Sequence, residues 1–246
     1  MQVDKKQLEI LLVHYFRESF SDFPKGELTA SESPDFIITL RNRHQLGIEL
    51  TRLHSANHVY PDTAFQNENL LYDRLVATVQ ELVEKDLPHR MFVKFLFSGN
   101  HNLRAESELI TAVHMANAIR REASLKHHHS FFRFNIPASR LPKGIDDVLV
   151  VNHPALLTSV WERANRLGVS DNVVDDLLQS ILKKEEKLRL YQKQKLNYYW
   201  LLIFTDRLRG VKNFNLPNKL HNHHFESRFQ HVYLFDLMKS QIFELV

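Results

Sequence analysis

Apolar residues dominate two neighbouring segments early in the chain, residues 35–40 and 46–53. Runs of this kind, bounded by turn-forming residues, are typical of β-strands, and the polar segment 41–45 between them predicts a hairpin. Because successive side chains of a strand point to opposite faces, Glu49 and Thr51 share one face, and the leucine and isoleucine residues of that segment share the other. A carboxylate in an otherwise apolar strand needs a partner, so Glu49 is a candidate for functional chemistry.

Helical spacing of apolar residues predicts helices elsewhere in the chain, and short apolar runs predict the remaining strands. The predicted helices cover residues 5–20, 67–86, 106–121, 156–166 and 171–191, and the predicted strands cover residues 91–98, 147–151, 198–205, 232–237 and 241–245. Together they indicate an α/β fold in which helices flank a central mixed sheet built on the 35–53 hairpin. Helices 5–20 and 171–191 are expected to pack against that sheet.

One predicted helix carries a lysine where its apolar stripe calls for an apolar residue. In helix 171–191, Leu177, Ile181 and Leu188 recur at helical spacing, and Lys184 falls among them. An ammonium group that faces inward needs an acidic or phosphate partner. The alternative is that the Lys184 side chain follows the apolar surface and places its charge in water.

Composition narrows the classes of protein that this chain can belong to. The 246 residues contain no cysteine, which excludes disulfides, thiolate zinc sites and cysteine catalysis. No glycine-rich phosphate-binding motif is present, which counts against dinucleotide enzymes and P-loop ATPases. The net charge of +3 permits nucleic-acid binding without requiring it. The first residues lack the apolar region of a signal peptide, and the longest apolar run is too short for a membrane span, so a cytoplasmic protein without membrane association is expected.

The hairpin also carries a recognisable motif. Pro34-Asp35, followed by Glu49-Leu50-Thr51, resembles the signature of the PD-(D/E)XK nuclease superfamily, in which Pro-Asp and a spacer precede acid-x-Lys on the next strand. The length allows one elaborated domain or two small ones. The resemblance implies a restriction-endonuclease-like core and, of these two, a single elaborated domain over residues 1–246, with an insertion near 123–170. Thr51 departs from the motif because it stands where the lysine is expected. The alternative interpretation is that the motif arises by chance. In that case Asp35 caps a turn and Glu49 forms a salt bridge with a neighbouring residue.

The resemblance also implies a divalent-metal site. The carboxylates of Asp35 and Glu49, with the backbone carbonyl of Leu50, form an oxygen donor set of the kind that Mg²⁺ or Mn²⁺ prefers. A glutamate from the first helix, Glu9 or Glu18, is expected to join them. Two close carboxylates repel each other in the absence of the ion, so removing either one is expected to leave the protein folded and even to stabilise it.

The missing lysine needs a replacement if the site is catalytic. Several branches of the resembled superfamily carry this lysine on the helix that follows the acid-x-Lys strand, which makes Lys184 the first candidate and Lys187 the second. Thr51 can only donate or accept a hydrogen bond, since its hydroxyl group brings no positive charge. We therefore expect the ammonium group of Lys184 to approach Asp35, Glu49 or a phosphate bound between them.

These features predict a metal-dependent nuclease that hydrolyses phosphodiester bonds, with DNA favoured over RNA as the substrate. Dimers are common in that superfamily, so the resemblance leaves both a monomer and a homodimer open. The alternative is a catalytically decayed domain that binds nucleic acid or another protein. Phosphate contacts would then come from a strip of basic residues, Lys183, Lys184, Lys187, Arg189, Lys193 and Lys195. The histidine runs at 127–129 and 223–224 are predicted to be exposed loops instead of metal ligands.

Overall fold

A computed structural model describes residues 5–53, 66–98, 105–126, 129–164, 172–191, 196–206 and 216–246. In chain order, the helices and strands of these residues are α1 (Lys5–Ser19), β1 (Gly26–Ala30), β2 (Phe36–Leu40), β3 (Gln45–Arg52), α2 (Gln66–Glu84), β4 (Met91–Phe97), α3 (Glu108–Ser124), β5 (Phe132–Asn135), β6 (Ile145–Asn152), β7 (Val160–Arg163), α4 (Val173–Tyr191), β8 (Tyr198–Thr205), α5 (Leu216–Asn222), β9 (His231–Asp236) and β10 (Gln241–Glu244). None of these helices combines the length and the apolar composition that a bilayer span requires.

The chain divides into two compact units, each with its own sheet and its own core. The first unit contains Met1–Tyr15 and Val59–Arg166, and the second contains Phe16–His58 and Leu167–Val246. Both are α/β, and both sheets are mixed, since each combines parallel and antiparallel pairs. The single domain with an insertion near 123–170, which the resemblance implied, stays a prediction.

The first unit has a four-stranded sheet in the order β5-β6-β4-β7, and α2 and α3 supply much of its apolar core. The helix predicted over 156–166 is wrong, because Val160–Arg163 is strand β7, paired in parallel with β4. Strand β7 forms hydrogen bonds with the backbone N–H and C=O groups at one edge of β4, which a helix could not form. Trp161 packs against the core of the unit and donates its indole N–H to Glu84 at 2.9 Å, so tertiary contacts override the local pattern.

The second unit has a six-stranded sheet in the order β1-β2-β3-β8-β9-β10. The strands β1, β2 and β3 form an antiparallel meander, which confirms the predicted hairpin. The central strands β3, β8 and β9 run parallel to one another, and β10 closes the sheet in the antiparallel direction. Parallel neighbours need a crossover connection, and α4, which precedes β8, belongs to the crossover from β3.

Helices flank this second sheet, as predicted. On one face, Leu177 and Ile181 of α4 share an apolar core with the buried residues of β8 and β9. On the other face, Phe16 at the end of α1 lies 5.6 Å from the ring of Tyr233 and 5.5 Å from that of Phe235, measured between ring centroids. Glu49 pairs with Leu201, a member of the α4 core, so Glu49 lies on the face that α4 covers.

Gly47 provides the space in which the Pro34-Asp35 segment approaches β3. A Cβ atom at this position would lie 2.6 Å from Cγ of Pro34 and 2.8 Å from Cδ1 of Leu196. We expect Gly47→Ala to lower the free energy of unfolding by about 1–3 kcal/mol, the usual cost of overpacking a core, measured by urea denaturation. Gln45→Ala, at an exposed position of the same strand, is the control and should change stability by about 0.5 kcal/mol or less. Equal stability of both variants and the wild type would show that Pro34 moves aside freely.

Candidate active site

Asp35 lies immediately before β2, where the antiparallel register brings it towards Glu49. Phe36 pairs with Ile48, and extending this register by one residue places Asp35 opposite Glu49. The backbone of Asp35 accepts a hydrogen bond from the N–H of Ser31 at 2.9 Å, which holds the segment in line with β1. Its Oδ2 atom accepts the backbone N–H of Leu50 at 2.7 Å. The Asp35 carboxylate is therefore fixed against the strand that carries Glu49.

Glu49 is a buried carboxylate with a cation as its partner. The Nζ atom of Lys184 lies 2.6 Å from Oε1 of Glu49 and 2.8 Å from the backbone oxygen of Leu50. The two side chains are 14% and 5% exposed, for Lys184 and Glu49 respectively. The predicted approach of Lys184 to an acid of the motif is confirmed, and the alternative in which its ammonium group lies in water is wrong. The catalytic role of the lysine stays a prediction.

Two of the predicted metal ligands, Glu49 and the carbonyl of Leu50, hold the ammonium group of Lys184. Oε1 of Glu49 and the carbonyl oxygen of Leu50 converge on one positively charged atom, and Asp35 holds the N–H of the same Leu50 residue. Carboxylate and carbonyl oxygens are the donors that Mg²⁺ and Mn²⁺ prefer. The donor types suit a divalent ion, but in this structure the ammonium group of Lys184 holds both oxygens, so the metal site stays a prediction.

Few of the described side chains at this position could bind a metal ion. Among the residues that the structure describes, no group of three or more histidine, cysteine, aspartate or glutamate side chains could hold a metal ion. An ion at this site would thus rely on two carboxylates, Asp35 and Glu49, and on the carbonyl of Leu50. Mg²⁺ commonly keeps several water ligands in protein sites, so a small set of protein donors suits it.

The two glutamates of α1 differ in their surroundings. Glu9 forms ion pairs with Lys5 and Lys6 of its own helix, at 3.4 and 3.9 Å. Glu18 is exposed, one residue before the helix ends at Ser19. A metal-binding role for either glutamate stays a prediction.

A cavity of about 340 Å³ adjoins the ion pair, between the end of β3 and one side of α4. The described residues that line it are all polar or charged: Thr51, Arg52, Asp176, Gln179, Ser180, Lys183, Lys184 and Lys187. Thr51 lies on the same face of β3 as Glu49, two residues further along the strand. Lys187 shares the cavity with Lys184 but forms no ion pair or hydrogen bond with the other described residues. The lysine that reaches Glu49 is therefore Lys184.

Sequence reasoning missed two charged residues of this cavity. Arg52 places its guanidinium nitrogen 3.5 Å from Oδ1 of Asp206 and lies over the ring of Phe204, 5.5 Å from its centroid. Asp176 is buried, with only 1% of its surface exposed. The helical pattern contains a signal for it, because Asp176, Lys183 and Lys187 recur at spacings of seven and four residues on one side of α4.

Comparison with known proteins finds no match: no family model, curated protein or solved structure matches the chain. The resemblance to the PD-(D/E)XK superfamily thus rests on the residues of the second unit and on their geometry.

Proposed function

We propose that this protein is a metal-dependent nuclease that hydrolyses phosphodiester bonds, with DNA favoured over RNA. The observation that carries the proposal is the convergence of Glu49, the carbonyl of Leu50 and the ammonium group of Lys184, beside an Asp35 carboxylate bound to the same strand. In the resembled PD-(D/E)XK superfamily, two acids and a lysine are the side chains that cut phosphodiester bonds, through a bound metal ion and electrostatic stabilisation.

The order of elements supports the same proposal. The motif acid lies on β3, and α4 leads into β8, a strand that contains Trp200 and runs parallel to β3. A helix followed by a tryptophan-containing strand resembles the crossover that follows the acid-x-Lys strand in the PD-(D/E)XK superfamily. In this chain α4 also carries Lys184, which supplies the positive charge that Thr51 lacks.

Each residue has a distinct part in this proposal. A bound Mg²⁺ or Mn²⁺ would acidify a water ligand and neutralise charge on the phosphate. Asp35, Glu49 and the carbonyl of Leu50 would hold the ion. The ammonium group of Lys184, released from these oxygens, would lie beside the phosphate and stabilise the negative charge that develops there. The hydroxyl of Thr51 can orient water or a phosphate oxygen by a hydrogen bond.

Nuclease assays test this proposal. Purified protein is incubated with linear duplex, circular duplex and single-stranded DNA, and with RNA, in Mg²⁺, Mn²⁺ or EDTA. We expect cleavage in at least one divalent ion and none in EDTA, with Asp35→Asn as the matched inactive variant. Cleavage that persists in EDTA or in the Asp35→Asn protein would refute the assignment of the site.

The second candidate is a decayed nuclease-like domain that binds nucleic acid without cutting it. The observation that favours it is the direct pairing of Lys184 with Glu49, which gives the buried acid a partner without any metal ion. Salt-sensitive binding of DNA with no cleavage in Mn²⁺ would support this candidate over the first. Absence of both binding and cleavage would leave a protein-interaction role.

A further inference from the structure

The described residues of the second unit do not neutralise all the charges of the cavity between β3 and α4. Two of its cations have acidic partners, because Arg52 pairs with Asp206 and Lys184 pairs with Glu49. Lys183 and Lys187 are exposed and form no ion pair or hydrogen bond with the described residues around them. The lining acid Asp176 offsets one positive charge. The four cations of the lining and the three acids Asp176, Asp206 and Glu49 therefore sum to a net charge of about +1. This net charge suits a singly charged anion.

The chemistry of the lining indicates which anion this is. A site that receives a nucleic-acid base commonly offers aromatic side chains on which the base stacks. The described residues that line this cavity include no aromatic ring, and they offer ammonium groups, a guanidinium, two hydroxyls and an amide. Such donors suit the oxygens of a sugar-phosphate backbone, and they carry no information about base sequence.

We propose that the cavity binds one backbone phosphodiester of a nucleic-acid strand, next to the phosphate that is cut, through Lys183 and Lys187. This inference rests on the proposed function, because it places the cut phosphate at Glu49 and its neighbour in the cavity. Lys184 lies in the lining of the cavity and also contacts Glu49, so the two positions are adjacent. The contact with the second phosphate is independent of sequence and positions the strand along α4.

Binding in EDTA tests the inference apart from catalysis. The probe is a fluorescein-labelled single strand of thymidines, about 12 nucleotides long, and the readout is fluorescence anisotropy over a range of KCl concentrations. Each lysine–phosphate contact contributes a slope of about −0.7 to the plot of log affinity against log salt concentration for single strands. The Lys183→Gln/Lys187→Gln protein should therefore show a slope shallower by about 1.4, and an affinity at low salt lower by about tenfold. Lys219→Gln, an exposed lysine on α5, is the matched control and should bind as the wild type does.

The outcomes separate this inference from the proposed function. An unchanged salt slope in the double variant would overturn the phosphate site, even if the wild type cleaves DNA in Mn²⁺. A shallower slope in a protein that cleaves no substrate would support the phosphate site and overturn the nuclease proposal. Equal competition by a glutamate oligomer of the same charge would also overturn the inference, because the cavity would then select charge and not a phosphate backbone.

Discussion

Replacing Glu49 by glutamine should abolish metal-dependent cleavage and also destabilise the protein. We expect cleavage to fall by about a thousandfold or more, because the site loses one of its two metal-binding carboxylates. The free energy of unfolding should fall by about 3 kcal/mol, at the lower end of the cost of breaking a buried ion pair, because Lys184 keeps some contact with water. Single-turnover cleavage and urea denaturation measure the two effects separately.

The sign of the stability effect reverses the one expected from the sequence. Repulsion between Asp35 and Glu49 predicted that removal of an acid would stabilise the protein without metal, and the pairing of Glu49 with Lys184 at 2.6 Å reverses this expectation for Glu49. The double variant Glu49→Gln/Lys184→Met is the control. It removes both buried charges and should regain most of the lost stability without regaining cleavage. A Glu49→Gln protein that cleaves at the wild-type rate would place the metal site elsewhere.

Replacing Lys184 by methionine should affect catalysis and metal binding in opposite directions. Cleavage should fall by about a hundredfold or more, the usual scale for the loss of a group that stabilises charge or transfers a proton. The affinity for Mn²⁺ should rise by about tenfold, because an ammonium group no longer repels the ion or occupies the oxygens of Glu49 and Leu50. Titration calorimetry measures the affinity, and single-turnover cleavage measures the rate.

Lys187→Met is the comparison for this prediction. Its side chain lines the same cavity but has no described contact with Glu49, so we expect weaker binding of the nucleic acid, and a much smaller loss of single-turnover cleavage than in Lys184→Met. Loss of cleavage in Lys187→Met with full activity in Lys184→Met would exchange the roles of the two lysines. Full activity in both variants, with an inactive Asp35→Ala protein, would leave a mechanism that uses metal alone.

The periodicity of the sequence predicted two features of the site correctly. The two-residue repeat of β3 placed Glu49 and Thr51 on one face, and the structure puts that face against α4. The interruption of an apolar stripe by Lys184 predicted an inward ammonium group, and its contact with Glu49 confirms this. Both predictions succeed because side-chain direction in a strand or helix follows from backbone geometry alone.

The sequence did not predict the features that depend on contacts between residues far apart in the chain. Strand β7 forms because β4 pairs with it, and four residues carry too little periodicity to reveal a strand. Strand β1 and the short helix α5 were not predicted either, because five and seven residues are too few to show a clear periodicity. The ion pair of Arg52 with Asp206 joins the ends of two strands that are 154 residues apart in sequence, so no local pattern indicates it.

The separation of Glu49 from Lys184 by 135 positions has a consequence for how the protein is made. Most of the first unit, residues 59–166, is synthesised between β3 and α4. A chain still being translated can thus complete those elements while β3 lacks its parallel neighbour β8 and exposes an unpaired edge. Nascent chains and fragments that end before residue 184 contain the acids but not the lysine. Any catalytic activity of this site therefore requires that α4, which carries Lys184, has also been synthesised and has packed against β3.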